Sequence, residues 1–443
     1  MKKNIIETNL RANILKLVNN FVRVQKSREK FIPGKSRIHF GARIYDQKEV
    51  VRLVNASLDF WITLGKEGRE FETNFAKFMN RKRCVVVNSG SSADLLAVAG
   101  LCAKTFPNRM LPGDEVITTA MAFPTTVAAI LHNNLIPVFI DIELDTYNID
   151  ANKLEAAISK KTRAIILAHT LGNPAEMDKI VKIAKKHKLY LIEDICDALD
   201  SRYGGKLCGT FGDVAAAGFY PAHHMMMGEG GAVVMDDLEL FKSCRSLRDW
   251  GREDLGFDMG KTNSIEELSK RFSSNISSLP KGYDRKYIYT NIGYNLKPTD
   301  LQCAIGIEQL RKVPAFTLMR KKNFKTLYEV LKPYKKFLIL PRSFSKSDPS
   351  WFAFPITVCR NSPFSRKEIM EFLESNNIET RVLFAGNILK HPGYRDIKHR
   401  TPFNLNNSNF VLSNTFFVGI YPGIGKSEMN YMIGVFQSFF NKK

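Results

Sequence analysis

The stretch RCVVVNSGSSADLLAVAGLCAK (83–104) sets the architecture. Cys84 to Val87 is an unbroken apolar run, short enough for a strand and suited to burial on both faces. Asn88, Ser89 and Gly90 interrupt it, and the residues from Ser91 onward read as a helix. A strand that passes through a tight polar turn into a helix opens a parallel β-α-β unit. The same alternation continues outward. DEVITTA (114–120), IPVFIDI (136–142), RAIILAHT (163–170), LYLIEDI (189–195) and GAVVMD (231–236) read as strands. TTVAAILHNN (125–134), ANKLEAAISKK (151–161) and EMDKIVKIAKKHK (176–188) read as crossover helices. The pattern predicts an α/β domain with a large, doubly wound, mostly parallel sheet, in which ligands sit at the carboxyl ends of the strands.

Beyond residue 310 the pattern changes. IGIEQLRKVPAFTLMRKKNFKTLYEVLKPY (305–334) reads as one helix, and SWFAFPITV (350–358), SRKEIMEFLESNN (365–377) and IETRVLF (378–384) as a smaller α+β unit. The expected division is a basic amino-terminal helical segment at 1–40, a large α/β domain at 41–310 and a small carboxyl-terminal α+β domain at 311–443. The amino-terminal helix, interrupted by polar residues and so unlike a signal peptide, is expected to join the small domain in space. The polar stretch 251–290 reads as a long loop.

With 44% hydrophobic and 25% charged residues the 443-residue chain has a globular composition, far from that of disorder. It has no run approaching the roughly 18 apolar residues of a membrane helix. Its 65 Lys+Arg against 44 Asp+Glu leave +21 formal charges. Residues 1–40 hold ten Lys/Arg against Glu7 and Glu29. That balance favours anionic partners, whether nucleic acid, a membrane face or a phosphorylated small molecule, and the absence of a reader motif argues against nucleic acid. Seven cysteines, an odd number without a C-x-x-C pair, argue against a disulfide framework and for a reducing cytoplasm.

Three motifs carry chemistry. Gly90, Ser91 and Ser92 at a helix start present N–H groups and hydroxyls that suit a phosphate, or serve only to cap the helix. Asp194, with Glu193 at the end of LYLIEDI, can hold a protonated ring nitrogen, or act as a cap or salt-bridge partner. In GFYPAHHMMMGEGG (218–231), His223 and His224 are neighbours that point in different directions. No third ligand stands at a helpful spacing, so an acid/base histidine is more economical than a metal site.

Together these motifs resemble the sugar aminotransferases of the pyridoxal-phosphate fold type I superfamily, the DegT/DnrJ/EryC1/StrS family. The resemblance runs from about residue 37 through NSGSSADL (88–95), FPTTV (123–127), EDICDALDSRYGGKLCGTFGD (193–213), FYPAHHMMMGEGGAVV (219–234), LRDWGR (247–252), IGYNLKPTDLQCAIG (292–306) and TRVLFAGN (380–387). Within the family it is most similar to the nucleotide-sugar 3-dehydratases, in particular those acting on CDP-4-keto-6-deoxyglucose. The resemblance implies that Asp194 holds the pyridine nitrogen and Phe123 stacks on the ring. Gly90, Ser91 and Ser92 would bind the cofactor phosphate, and Asn295 would reach the phosphate of the neighbouring subunit of a homodimer. Gly218 stands where the family commonly has a phosphate-binding serine.

The position five residues before Gly228, a Schiff-base lysine in the aminotransferases and a histidine in the 3-dehydratases, is His223. An imidazole cannot form that covalent link. The resemblance therefore implies pyridoxamine phosphate held noncovalently, condensation with the C4 ketone of a nucleotide-linked 4-keto-6-deoxy sugar, and His223 as the base for expulsion of the C3 hydroxyl. Dehydratases of the CDP-sugar type carry a [2Fe–2S] cluster on four cysteines; here Cys196 remains, but no cysteine lies between Cys244 and Cys303. One thiol cannot hold a cluster, so none is expected, nor is any metal, and Cys196 reads as a small buried side chain. The parallel is then the GDP-4-keto-6-deoxymannose 3-dehydratase type, with L-glutamate restoring the amine. The alternative is a catalytically inactive relative that binds a nucleotide sugar or regulates a partner.

Overall fold

A computed structural model describes residues 2–27, 30–253, 269 and 271–443. Much of the 251–290 loop, at 254–268 and 270, lies outside them. The first nine strands are β1 (Arg83–Val87), β2 (Glu115–Thr119), β3 (Ile136–Ile140), β4 (Thr162–Ala168), β5 (Tyr190–Asp194), the short β6 (Arg202–Tyr203) and β7 (Lys206–Leu207), β8 (Val214–Gly218) and β9 (Gly231–Met235). Seven of them form one sheet in the order β1-β9-β8-β5-β4-β2-β3. Only β9 runs against the others, pairing antiparallel with both β1 and β8. The expectation of a large, mostly parallel sheet is met.

The helix Gly90–Cys102 starts on Ser89, whose hydroxyl accepts the Ser92 N–H at 3.0 Å. Beyond its first turn it is apolar on every side except for Asp94, and it is buried over most of that length, as an apolar helix must be. Its Leu96, Ala97 and Leu101 join Val85, Ile166, Ile192 and Ala216 in one core. In the carboxyl-terminal part, β10 (Leu338–Ile339), β12 (Ala353–Val358), β14 (Thr415–Gly419) and β13 (Thr380–Val382) form an antiparallel sheet in that order, with its own core. β11 (Ser347–Asp348) leaves that unit to pair with β6, and so ties the two parts together.

Four readings change. The stretch 305–334 is two helices, Asp300–Leu310 and Val313–Leu331, because Pro314 lacks the N–H that a continuous helix would use there. Of ANKLEAAISKK only Ala151–Leu154 is α-helical, followed by a 3-10 turn. The strand β8, VAAAG, lies inside the sheet between β9 and β5 although its alanines carry no strand signature. The amino-terminal helix, Lys2–Ser27, docks on the helix Gln47–Leu58 rather than on the small unit. Arg11 Nε donates to Asn55 Oδ1 at 2.7 Å, and its Nη1 to Asp59 Oδ1 at 2.7 Å. The extended segment after the helix makes the link instead: Phe31 packs edge-on against Tyr431, and Ile38 N–H donates to the Asn377 carbonyl at 2.8 Å.

Candidate active site

A cavity of about 450 Å³ opens at the carboxyl ends of the parallel strands. Ala168 and Asp194 are the last residues of β4 and β5, Met121 and Ala122 follow β2, and Gly90 and Ser91 begin the helix after β1. Phe352, Arg381, Phe384 and Phe417 of the carboxyl-terminal unit close the far wall. Of the residues expected to act together, Gly90, Ser91, Phe123, Asp194 and His223 all line this space.

Asp194 is nearly buried, and both oxygens are engaged: Thr126 Oγ1 donates to Oδ2 at 2.9 Å and the Cys196 N–H to Oδ1 at 3.0 Å. Its neighbour Glu193 faces the opposite way and staples a loop. Gly209 and Gly212 N–H groups donate to it at 2.7 Å, Phe211 N–H at 2.8 Å, and His169 Nε2 stands 3.0 Å from Oε2. Burial opposes its charge, yet His169 and these N–H groups hold the carboxyl below its ordinary range. The Glu193-Asp194 pair thus divides into a structural carboxylate and a cavity carboxylate.

The turn at the helix start is tightly spaced. A Cβ on Gly90 would stand 2.9 Å from Gly218 Cα and 3.1 Å from Cys196 Sγ, so only glycine lets the chain lie there. Ser92 is less free than Ser91, because its hydroxyl donates to Asn88 Oδ1 at 2.6 Å. Phe123, half exposed, presents its ring to the cavity with Phe384 edge-on at 6.0 Å. Gly218 lies behind the wall, where a Cβ would come within 2.9 Å of the His223 ring. Asn295 is exposed and stands outside the cavity, bridged to Asp249. Cys196 is half-buried and forms part of the wall, which corrects the reading of it as a buried filler. Burial and the Asp194 charge push its thiol up, so it stays protonated.

The two histidines part company. His224 is buried, contacts the Ser350 carbonyl through Nε2, and takes no part in the cavity. His223 keeps about 20% of its side chain exposed, with Nε2 3.9 Å from Asp197 Oδ1. Its Nδ1 accepts the Tyr220 N–H at 3.2 Å, while a contact with the Gly218 backbone favours a proton on the ring. Burial, with the charge of Arg320, pushes the imidazole down to about 4, and it is neutral at pH 7. Asp197 is pushed up to about 8 by burial and by Asp194. Arg320, fully buried, fixes the histidine loop from behind: Nη2 donates to the His223 carbonyl at 3.2 Å and Nη1 to that of Phe352 at 2.7 Å.

Sequence reasoning gave no role to Thr126, Asp197, Arg320 or Asp94. Only Asp94 had a visible signal, a lone carboxyl in the apolar run ADLLAVAG (93–100).

A model of the DegT/DnrJ/EryC1/StrS aminotransferase family matches residues 45–437. The chain belongs to that family. Among curated relatives, the lipopolysaccharide biosynthesis protein RfbH of Salmonella typhimurium is 44% identical over 433 residues, covering 98% of each chain. A dTDP-4-dehydro-2,6-dideoxy-D-glucose 3-dehydratase of Saccharopolyspora spinosa is 45% identical over 430 residues, 97% of this chain and 92% of that one. Among solved structures, an E. coli GDP-4-keto-6-deoxy-D-mannose 3-dehydratase with bound hydrated pyridoxal phosphate superposes with a TM-score of 0.81 at 28% identity, covering 90% of this chain and 99% of that one. The fold is that of the family's pyridoxal-phosphate proteins, and the site suits such a cofactor. A helix N-terminus with a glycine turn opens onto the cavity and suits an anion, an aromatic ring flanks the cavity, and a doubly hydrogen-bonded carboxylate lines it.

Proposed function

We propose that this family member is a hydro-lyase dependent on pyridoxamine or pyridoxal phosphate. It removes the C3 hydroxyl of a nucleotide-linked 4-keto-6-deoxyhexose without an iron–sulfur cluster, with L-glutamate as amino donor. The observation that carries this reading is the neutral imidazole of His223 in the cavity that Asp194 and Phe123 share. Asp194 holds the ring nitrogen, Phe123 covers the ring, and the Gly90 N–H with Ser91 and Ser92 holds the phosphate. Asn295, exposed outside its own cavity, serves the second site of a homodimer. When bound, the cofactor supplies the amine that meets the C4 ketone and a ring that accepts charge.

His223 does the proton work. Neutral at pH 7, the imidazole can take up a proton, and the Gly218 backbone stabilises the cation that forms. The imidazolium then gives that proton to the departing C3 hydroxyl, which leaves as water. Arg320 keeps the histidine backbone from retreating, and the aromatic far wall of Phe352, Phe384 and Phe417 limits water. Cluster independence is supported by the lack of any cysteine between Cys244 and Cys303. Seven free thiols suit the cytoplasm.

Incubation of the purified protein with pyridoxamine phosphate, glutamate and CDP-, GDP- and dTDP-linked 4-keto-6-deoxy sugars tests the reading. The expected product is a 3-deoxy-4-keto sugar, formed with glutamate and without a reductase, and identified by mass and NMR spectroscopy. Consumption of none of the sugars, or an absolute need for a reduced iron–sulfur partner, would overturn it.

A further inference from the structure

Asp94 sits in the second turn of the helix Gly90–Cys102, on a surface otherwise given to Ala93, Leu96 and Ala97. It is 1% exposed, its Oδ1 has no hydrogen-bond partner, and it forms part of the cavity wall beside Asp194. The two carboxyls are not equivalent. Asp194 accepts from Thr126 and from the Cys196 N–H, donors that stabilise a carboxylate, while Asp94 Oδ1 receives none. Among the described residues no cation is paired with Asp94; Arg381 and Glu229 line the same cavity, but Arg381 pairs with Glu379 and lies over the Phe40 ring. From the turn after β5 come Cys196 and Asp197, and from the loop 219–230 comes His223, which is neutral. Arg320, from the helix Val313–Leu331, spends its hydrogen bonds on the Trp351, Phe352 and His223 carbonyls. A second negative charge beside Asp194, shielded from water and without donors, is unfavourable. Burial first, and then the Asp194 charge, raise the Asp94 carboxyl well above its ordinary range.

We propose that Asp94 and Asp194 hold one proton between them, carried mainly on Asp94, so that the pair presents a single negative charge to the cavity. Asp94 is thereby a positioning residue that keeps Asp194 charged to meet one ring nitrogen. When a protonated ring nitrogen neutralises Asp194, the repulsion that kept Asp94 protonated falls, and Asp94 gives its proton up more readily. The cofactor part of this statement rests on the function proposed above; the shared proton does not.

The test starts with cofactor-free protein. Wild type and Asp94→Asn are melted between pH 5 and pH 8, a range above the ordinary carboxyl pKa of about 3.9. Where the native wild type retains a proton that the unfolded chain has lost, its folding equilibrium should fall against the variant as pH rises, by up to about tenfold per pH unit. Asp94→Leu, which offers an apolar side chain to the same surface, serves if the asparagine variant does not fold, with the same expectation. Parallel stability curves would overturn the shared proton. In a second arm, pyridoxal phosphate binding is titrated over the same range. Wild-type affinity should rise with pH relative to Asp94→Asn, because binding releases the proton. If the melting difference appears and the binding difference does not, the shared proton stands and the pairing of Asp194 with a ring nitrogen is wrong.

Discussion

Position 223 shows how much one side chain decides on a shared fold. An imidazole can move a proton but cannot form a Schiff base, so on the proposed function every contact that holds the cofactor must come from the rest of the cavity. Borohydride treatment of the loaded protein followed by peptide mass analysis should find no pyridoxyl group on any lysine. His223→Lys should acquire one at 223 and lose dehydration; an adduct on a wild-type lysine, or dehydration retained in the variant, would refute the role of His223. This residue was legible because its fixed distance from the Gly228-Glu229-Gly230-Gly231 run marks the place in the sequence. Asp197 and Arg320 were not legible. Their importance lies in the burial of a carboxyl near pH 8 and in carbonyls that Arg320 reaches across the fold, neither of which has a sequence spacing.

At the scale of elements, the site is a junction between the start of the helix Gly90–Cys102 and the facing ends of β8 and β9. Gly231 begins β9 directly beneath that helix start. A Cβ on it would lie 2.2 Å from the Ser89 carbonyl oxygen and 2.8 Å from the Gly90 nitrogen, both backbone atoms that cannot rotate away. Gly231→Ala should therefore push the phosphate cradle off its strand, costing about 1–3 kcal/mol of stability in denaturant titration and most of the cofactor affinity. An unchanged titration midpoint with full affinity would contradict this packing. The alternating strands and helices between 84 and 235 could be read because buried parallel strands are continuous apolar runs. β8 could not, since the close approach of Gly90 to Gly218 selects small side chains, and Ala-rich segments look helical. The break before Val313 was written in Pro314, and the reading of one helix across 305–334 passed over it.

Across the whole molecule, the buried titratable groups pull stability in opposite directions with pH. His223, pushed down to about 4, and His224, pushed well below its ordinary value, stay neutral when folded, so protonation of the unfolded chain below about pH 6.5 favours unfolding. Asp94 and Asp197, both raised, keep protons that the unfolded chain loses, so the same fall in pH favours folding. Wild-type stability should change little between pH 6.5 and pH 5, and His223→Asn should tilt the balance. Its unfolding free energy relative to wild type should rise as pH falls, by up to about 1.4 kcal/mol per pH unit. A constant difference would show that the histidine is not held neutral.

The charge surplus is only partly absorbed by this chemistry. No helix among the described residues is long and apolar enough to cross a membrane. The amino-terminal helix turns Leu10, Leu17 and Phe21 outward while Arg11 ties it down.

The sheet order also carries a timetable. β8 and β9 are neighbours joined through residues 219–230, so the turn that bears His223 closes over a short stretch of chain. β1, in contrast, pairs with β9 alone among the described residues, and must wait for the chain as far as Met235. Short closures precede long ones during folding. A ribosome making this protein would therefore complete the turn after β1 later than the strands β2 to β5 pair, and an interrupted synthesis ending before Met235 would leave β1 without its β9 partner, a template for association with other chains.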